Sequence, residues 1–198
     1  MLLIRGSGCG SGGLMSDALV SHFAVFPTLR DLTATQPPPW LQGQSLAPLV
    51  TARHEHPAPD LEINDAVFAE VTNHVAYEPP RAVRTPRWTY VRRFGDRSTP
   101  VVANCDESPS RAIWLAAGWA QRSQPTEALF DNVLDPMKGT NLAPEPAFAE
   151  GLADLRNRLA VWMAATDNPL LAGKVPLPPG AVANSPDALT PEEPLYSG

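Results

Sequence analysis

Phe148-Ala149-Glu150-Gly151-Leu152-Ala153-Asp154-Leu155-Arg156-Asn157-Arg158-Leu159-Ala160-Val161-Trp162 decides the architecture. Phe148, Leu152, Leu155, Leu159 and Trp162 recur every three to four residues, the period of one helix face. Pro146 falls near the first turn, where its missing amide costs little. Asp154 and Arg158 form a favourable i, i+4 pair on the polar side. The spacing predicts a helix over about 146–166. Upstream the period changes to two. Trp88, Tyr90, Arg92 and Phe94 alternate with Thr89, Val91 and Arg93, the pattern of a strand. Ala66 to Val71, Ala82 to Thr85 and Ala128 to Val133 read as further strands, with a turn at Thr85-Pro86-Arg87. Several strands with short links imply an antiparallel sheet. The fold class is α+β, a small antiparallel sheet packed against a long C-terminal helix.

Working outward, Leu2 to Ile4 reads as a short buried strand running into the glycine-rich Gly6 to Gly13. That run lacks the Gly-Lys-Ser/Thr ending that would place a lysine on phosphate, so it reads as a surface loop. Phe26, Leu29 and Leu32 form a helical face, and Pro27 confines the start of that helix to Ala24, or to Ser21 one turn earlier. An alanine cap gives the open amides no acceptor, a loss of about 1 kcal/mol. Gln36 to Pro39 is a proline stop, and the polar Thr51 to Pro59 is the best domain boundary. Pro109 to Gly118 has a short helical pattern ended by its glycine. From Gly173 onward, proline, glycine and small residues dominate, which predicts an extended or disordered tail over 173–198.

Composition narrows the function classes. The 198 residues are 43% hydrophobic, enough for a core. The 23 prolines are roughly twice the usual share of about 5%, predicting long loops and short elements. A net charge of −6 argues against nucleic acid as partner. Cys9 and Cys105 cannot make a disulfide framework and read as isolated thiols. No apolar run approaches the roughly 20 residues of a membrane span. Met1-Leu2-Leu3-Ile4 is too short for a signal peptide, so the chain as written is expected to be cytoplasmic if it is complete.

Three clusters invite chemistry. His54-Glu55-His56 offers two metal-type ligands in a loop with no third partner, and reads as solvated. Arg81, Arg84, Arg87, Arg92, Arg93 and Arg97 crowd a short stretch of an acidic protein. The guanidinium fork suits sulfate or carboxylate, but alternate arginines also solvate an exposed face or pair with nearby acids. Trp40, Trp88, Trp114 and Trp119 are open to either stacking or core roles, whereas periodicity puts Trp162 in the core.

Three segments fall in a recognisable order: Gly43-Gln44-Ser45-Leu46-Ala47-Pro48-Leu49, Tyr77-Glu78-Pro79-Pro80-Arg81-Ala82-Val83-Arg84-Thr85, and Leu129-Phe130-Asp131-Asn132-Val133-Leu134-Asp135-Pro136. Thr140-Asn141-Leu142 and Thr166-Asp167-Asn168-Pro169 follow. Together they resemble the C-terminal portion of the sulfatase family, closest to the N-sulfoglucosamine sulfohydrolase (heparan sulfamidase) branch. The resemblance implies that residues 1–52 are the last strand and helix of an α/β catalytic domain. Residues 60–172 would then be the C-terminal subdomain that completes the substrate cleft.

The same resemblance implies a formylglycine made from Cys-x-Pro-Ser-Arg, and a calcium ion on oxygen ligands that neutralises the sulfate. Neither is expected in this chain, whose catalytic and metal residues are read as none. Cys105-Asp106-Glu107-Ser108-Pro109-Ser110-Arg111 has the proline four positions after the cysteine instead of two. The chain alone is therefore expected to be inactive. The substrate-binding candidates are His74, Tyr77, Arg81 and Arg84. His74 lies where the family places a pocket-facing histidine, although a strand-end histidine bonded to backbone fits as well. The implied partners are a sulfated carbohydrate and an N-terminal sulfatase domain. The alternative is a noncatalytic module that binds sulfated glycans, or a truncated remnant.

Overall fold

The computed structural model describes residues 3–6, 9, 15–51, 61–193 and 195–197. It divides into two compact units, Met1–Val67 and Phe68–Gly198.

In the first unit, helices α1 (Val25–Leu32) and α2 (Ala47–Val50) surround a small core of Ala24, Leu46 and Ile63. Both starts offered by the sequence for α1 occur, Ser21 opening the turn before it and Ala24 the helix itself. A 3₁₀ turn over His22–Ala24 precedes it, and the Ser21 hydroxyl accepts from the Phe23 amide. Ala24 makes no side-chain cap bond. It is buried against Leu46 and Ile63, where an apolar methyl is the better fit. Thr28, also buried, donates its hydroxyl to the Ala24 carbonyl at 2.6 Å and accepts from the Leu46 amide at 2.8 Å. That relay ties α1 to α2. Gly43 explains the matching motif before α2. Its φ is +87°, and a Cβ there would lie 2.3 Å from the Phe23 carbonyl oxygen.

Two expectations for this unit are corrected. Leu3 and Ile4 are exposed and belong to no strand, because no described residue pairs with them. The face of α1 that carries Phe26 and Leu29 is exposed, and the buried residues are Pro27 and Thr28. Phe26 instead stacks on Trp40, centroids 6.0 Å apart. His54-Glu55-His56 and most of the glycine-rich run lie outside the described residues.

The second unit is the α+β element that the alternating and helical periods predict. Strands β1 (Val67–Glu70), β2 (Pro80–Arg84), β3 (Trp88–Arg93) and β4 (Glu127–Asp131) form one sheet in that order. The β2–β3 and β3–β4 pairs are antiparallel, with Val83 opposite Tyr90 and Tyr90 opposite Leu129. These three residues are buried on one face. Helix α3 (Pro109–Ala116) intervenes between β3 and β4.

Helix α4 (Ala149–Ala165) packs on β2 and β3, following a 3₁₀ turn at Pro146–Phe148. Its buried stripe is Leu152, Leu155, Leu159 and Met163. Each such side chain contributes about 1.5–3 kcal/mol of burial. Phe148 and Trp162 flank the stripe and are half-buried. They meet Trp88 edge-on and Phe68 face-on, at 5.8 and 5.0 Å.

The tail is a further correction. Beyond Gly173 the described residues form a docked, hydrogen-bonded strap. Strands β5 (Val182–Asn184) and β6 (Leu195–Ser197) pair antiparallel. Ala183, Asn184 and Ala188 are buried. The Asn184 amide donates to the Val75 carbonyl at 2.9 Å, and its side-chain amide donates to the Pro191 and Glu193 carbonyls. Turn-forming asparagine and proline, which read as disorder in composition, here saturate a docked strap.

Candidate functional site

The loop between β1 and β2 carries His74 and Tyr77, and the Asn104 side chain holds its middle. Asn104 accepts from the amides of Val75 and Ala76 at 3.0 and 2.8 Å. Its side-chain NH₂ donates to the Ala76 carbonyl at 3.3 Å and to Glu78 Oε2 at 3.1 Å. Ala76 is fully buried, so the loop is pinned at its middle. Tyr77 follows at the wall of a cavity of about 520 Å³. That volume lies in the range of small-molecule sites, about 300–1,000 Å³.

Three segments build the cavity: the loop with Tyr77 and Glu78, the end of β3 with Arg93, Phe94, Asp96 and Arg97, and the C-terminal strap with Lys174 and Asp187. Lys174 Nζ lies 5.3 Å from the centre of the Tyr77 ring. Arg97 donates to the Thr99 carbonyl at 3.0 Å and pairs with Asp187 at 2.5 Å. Arg93 donates to the Pro125 carbonyl at 3.0 Å. The arrangement offers aromatic walls and charges of both signs to a polar ligand.

Of the four expected site residues, Tyr77 lines the cavity. His74 and Arg84 are exposed and do not line it. Arg81 is 1% exposed, and its five N–H donors are committed. Nε faces Glu70 at 3.1 Å and Asn168 at 3.4 Å. Nη1 donates to the carbonyls of Val71 and Pro80, and Nη2 donates to Thr72 and Asn168. Burial lowers its pKa, opposed by Glu70 and Tyr77. Its guanidinium ties β1, β2 and the end of α4 together.

The remaining arginines disperse. Arg87 pairs with Asp131 and lies over Trp88, while Arg92 lies over Phe94. Sequence reasoning missed Arg93 and Arg97 as cavity residues apart from the cluster, and missed Lys174 and Asp187 altogether. The last two sit in the strap, where no local pattern points to a site.

The decoy cysteine has a structural explanation. Ser108 caps α3 by accepting from the Arg111 amide at 3.1 Å, with Pro109 in the first turn. Arg111 is buried, pairs with Glu107 and donates to the Leu189 carbonyl. The Pro-Ser-Arg run is a helix start that also holds the strap. Among the described residues, no group of three or more His, Cys, Asp or Glu could hold a metal ion. The donor set among the described residues does not fit the calcium that the resemblance implies.

The matching segments elsewhere are clamps. Asn141 accepts from the Leu129 amide and donates to the Glu127 carbonyl, at 2.9 and 3.1 Å. Buried Asp131 accepts from the amides of Val133 and Leu134 and from Arg87. The Leu134 amide foremost, then Val133 and Arg87, holds its carboxyl below the usual range against the opposing effect of burial.

No family model matches the chain. A choline-sulfatase of Rhizobium meliloti (strain 1021) is 28% identical over 148 residues, covering 73% of this chain. Among solved structures, a 2-O GAG sulfatase covers 78% of the chain with a TM-score of 0.51 and 24% identity. A sulfatase-type protein from Bacteroides thetaiotaomicron covers 86% with a TM-score of 0.54 and 23% identity.

The chain is similar to sulfatases.

Its four-stranded sheet and long helix match the C-terminal domain of those sulfatase folds. The chain spans 21% of the length of the choline-sulfatase, and 27% and 31% of the two solved chains. No helix among its described residues is long and apolar enough to cross a membrane.

Proposed function

We propose that this chain is the C-terminal portion of a sulfatase-type hydrolase of sulfate esters or N-sulfate groups, of the sulfamidase kind. The second unit completes one wall of the substrate cleft, and the cavity beside Tyr77 is that wall. The observation that carries this reading is a match over 73% of the chain that takes up 21% of its relative. The formylglycine and calcium would come from sulfatase segments other than these residues. His74 and Arg84, both exposed, remain open to a sulfated carbohydrate, and Arg81 supports the loop from beneath.

The test is to read the coding frame ahead of the Met1 codon and assay its product on an aryl sulfate. An in-frame Cys-x-Pro-Ser-Arg is expected, with turnover that disappears when residues 68–198 are deleted. A frame without that motif overturns the hydrolase reading. Salt-sensitive retention of the chain on heparin would then mark a noncatalytic glycan-binding module.

A further inference from the structure

We propose that the cavity beside Tyr77 selects a small zwitterion, an amino sugar with a free ammonium and a sulfate group, over a purely anionic sugar. The proposal deepens the sulfate-ester half of the reading above, since an N-sulfated amine carries no ammonium, and rests on it for the identity of the anion. Its basis is how the lining charges pair. Arg97 and Asp187 neutralise each other. Among the described residues, two cations then remain without a carboxylate. Arg93 is bonded to a backbone carbonyl, and Lys174 lies over a ring. Two carboxylates remain without a cation. Glu78 accepts from the Asn104 amide, and Asp96 has no hydrogen-bond or ion-pair partner among the described residues.

A purely anionic ligand would satisfy the two cations but sit against two open carboxylates. A purely cationic one would meet the reverse. A molecule bearing both signs satisfies each set, and like-charge juxtaposition rejects the others. The rings of Tyr77 and Phe94 wall the cavity, and about 520 Å³ suits a small ligand. Lys174 and Asp187 come from the C-terminal strap, so residues 77–187 build the whole cavity. The 198-residue chain itself is therefore the protein to test.

Isothermal titration with glucosamine 6-sulfate, glucosamine and glucose 6-sulfate decides it. The zwitterion is expected to bind about tenfold or more tighter than either single-charge sugar, the scale of one charge-assisted hydrogen bond. Asp96→Asn should erase the preference over glucose 6-sulfate, and Lys174→Met the preference over glucosamine. Both side chains are exposed, so neither change threatens the fold. Equal binding of glucose 6-sulfate and glucosamine 6-sulfate overturns the zwitterion rule and leaves the sulfated-sugar reading standing. Equal binding of glucosamine and its sulfate also overturns it. Selectivity that survives both substitutions places the site elsewhere and overturns it too. No binding of any sugar sinks this proposal together with the cleft-wall reading.

Discussion

Arg81 and Asn168 are 87 positions apart in sequence and share two buried hydrogen bonds, at 3.3 and 3.4 Å. Asn168 also donates to Glu70 at 2.8 Å and, through its side-chain oxygen, caps the 3₁₀ turn that begins at Pro169. One asparagine thus closes α4 onto β1 and β2. Asn168→Ala leaves guanidinium donors unpaired in the interior and should cost about 2–3 kcal/mol. Arg81→Ala should cost at least as much, because it also leaves the Val71 and Pro80 carbonyls without their donor. Urea unfolding would show the midpoint falling with the slope unchanged, and an unmoved midpoint for Asn168→Ala would refute the clamp.

Gly43 and Gly118 both have positive φ, at +87° and +80°, but their surroundings differ. A Cβ on Gly43 would strike the Phe23 carbonyl, whereas nothing lies within 4 Å of one on Gly118. Gly118→Ala should cost about 1–2 kcal/mol, the left-handed backbone penalty alone. Gly43→Ala should cost clearly more and should loosen the α1–α2 pair. Equal thermal shifts for the two variants would contradict the close approach.

Tyr90, Glu127 and Arg156 form a cluster between sheet and helix. Tyr90 donates to Glu127, and Arg156 pairs with the same carboxylate, Nε at 2.8 Å. The bond from Arg156 foremost, with that from Tyr90, holds Glu127 below its usual range against burial. A depressed carboxyl stabilises the fold above its unfolded value, and that stability disappears as pH falls through the folded value. Burial foremost, then Glu127, raises the Tyr90 hydroxyl above 10.0. Its contribution is present below pH 10 and declines as pH rises beyond it. Glu127→Gln should flatten the acid limb of the stability profile and Tyr90→Phe the alkaline limb. Unchanged limbs in both variants would show that the cluster does not titrate with folding.

The strap should protect the loop that carries Tyr77. Asn184→Ala removes two bonds from a 2% exposed side chain, a loss of about 1–3 kcal/mol. Proteolysis should then cut within 174–193 faster than in the parent chain, and the backbone amide at position 184, bonded to the Val75 carbonyl, should exchange faster. Equal cleavage rates would mean that the strap is not held by this residue.

Much of the second unit was legible because its signals are local. The alternation around Tyr90 and the three-to-four spacing around Leu155 depend only on near neighbours, and they locate β3 and α4 within a few residues. Met163 was missed because the spacing from Leu159 fits Trp162 as well; the structure buries Met163 and moves Trp162 to the flank against Phe68. The first unit was less legible. Leu3 and Ile4 have strand composition, but a strand requires a partner, and no described residue supplies one.

The sequence by itself determined the periods, the turns and the order of segments that resemble the C-terminal portion of sulfatases. Those segments proved to be clamps such as Asn141, which holds Leu129 and Glu127, and Asp131, which holds its own turn and Arg87. Only the tertiary structure decided which arginines are committed and which face a cavity. Arg81 was the sequence's candidate and Arg93 was not, yet Arg81 is buried against Asn168 and Arg93 lines the pocket with Lys174. Charge identity is written in the chain, but burial and pairing arise from contacts across tens of residues, and they set what a charge can bind.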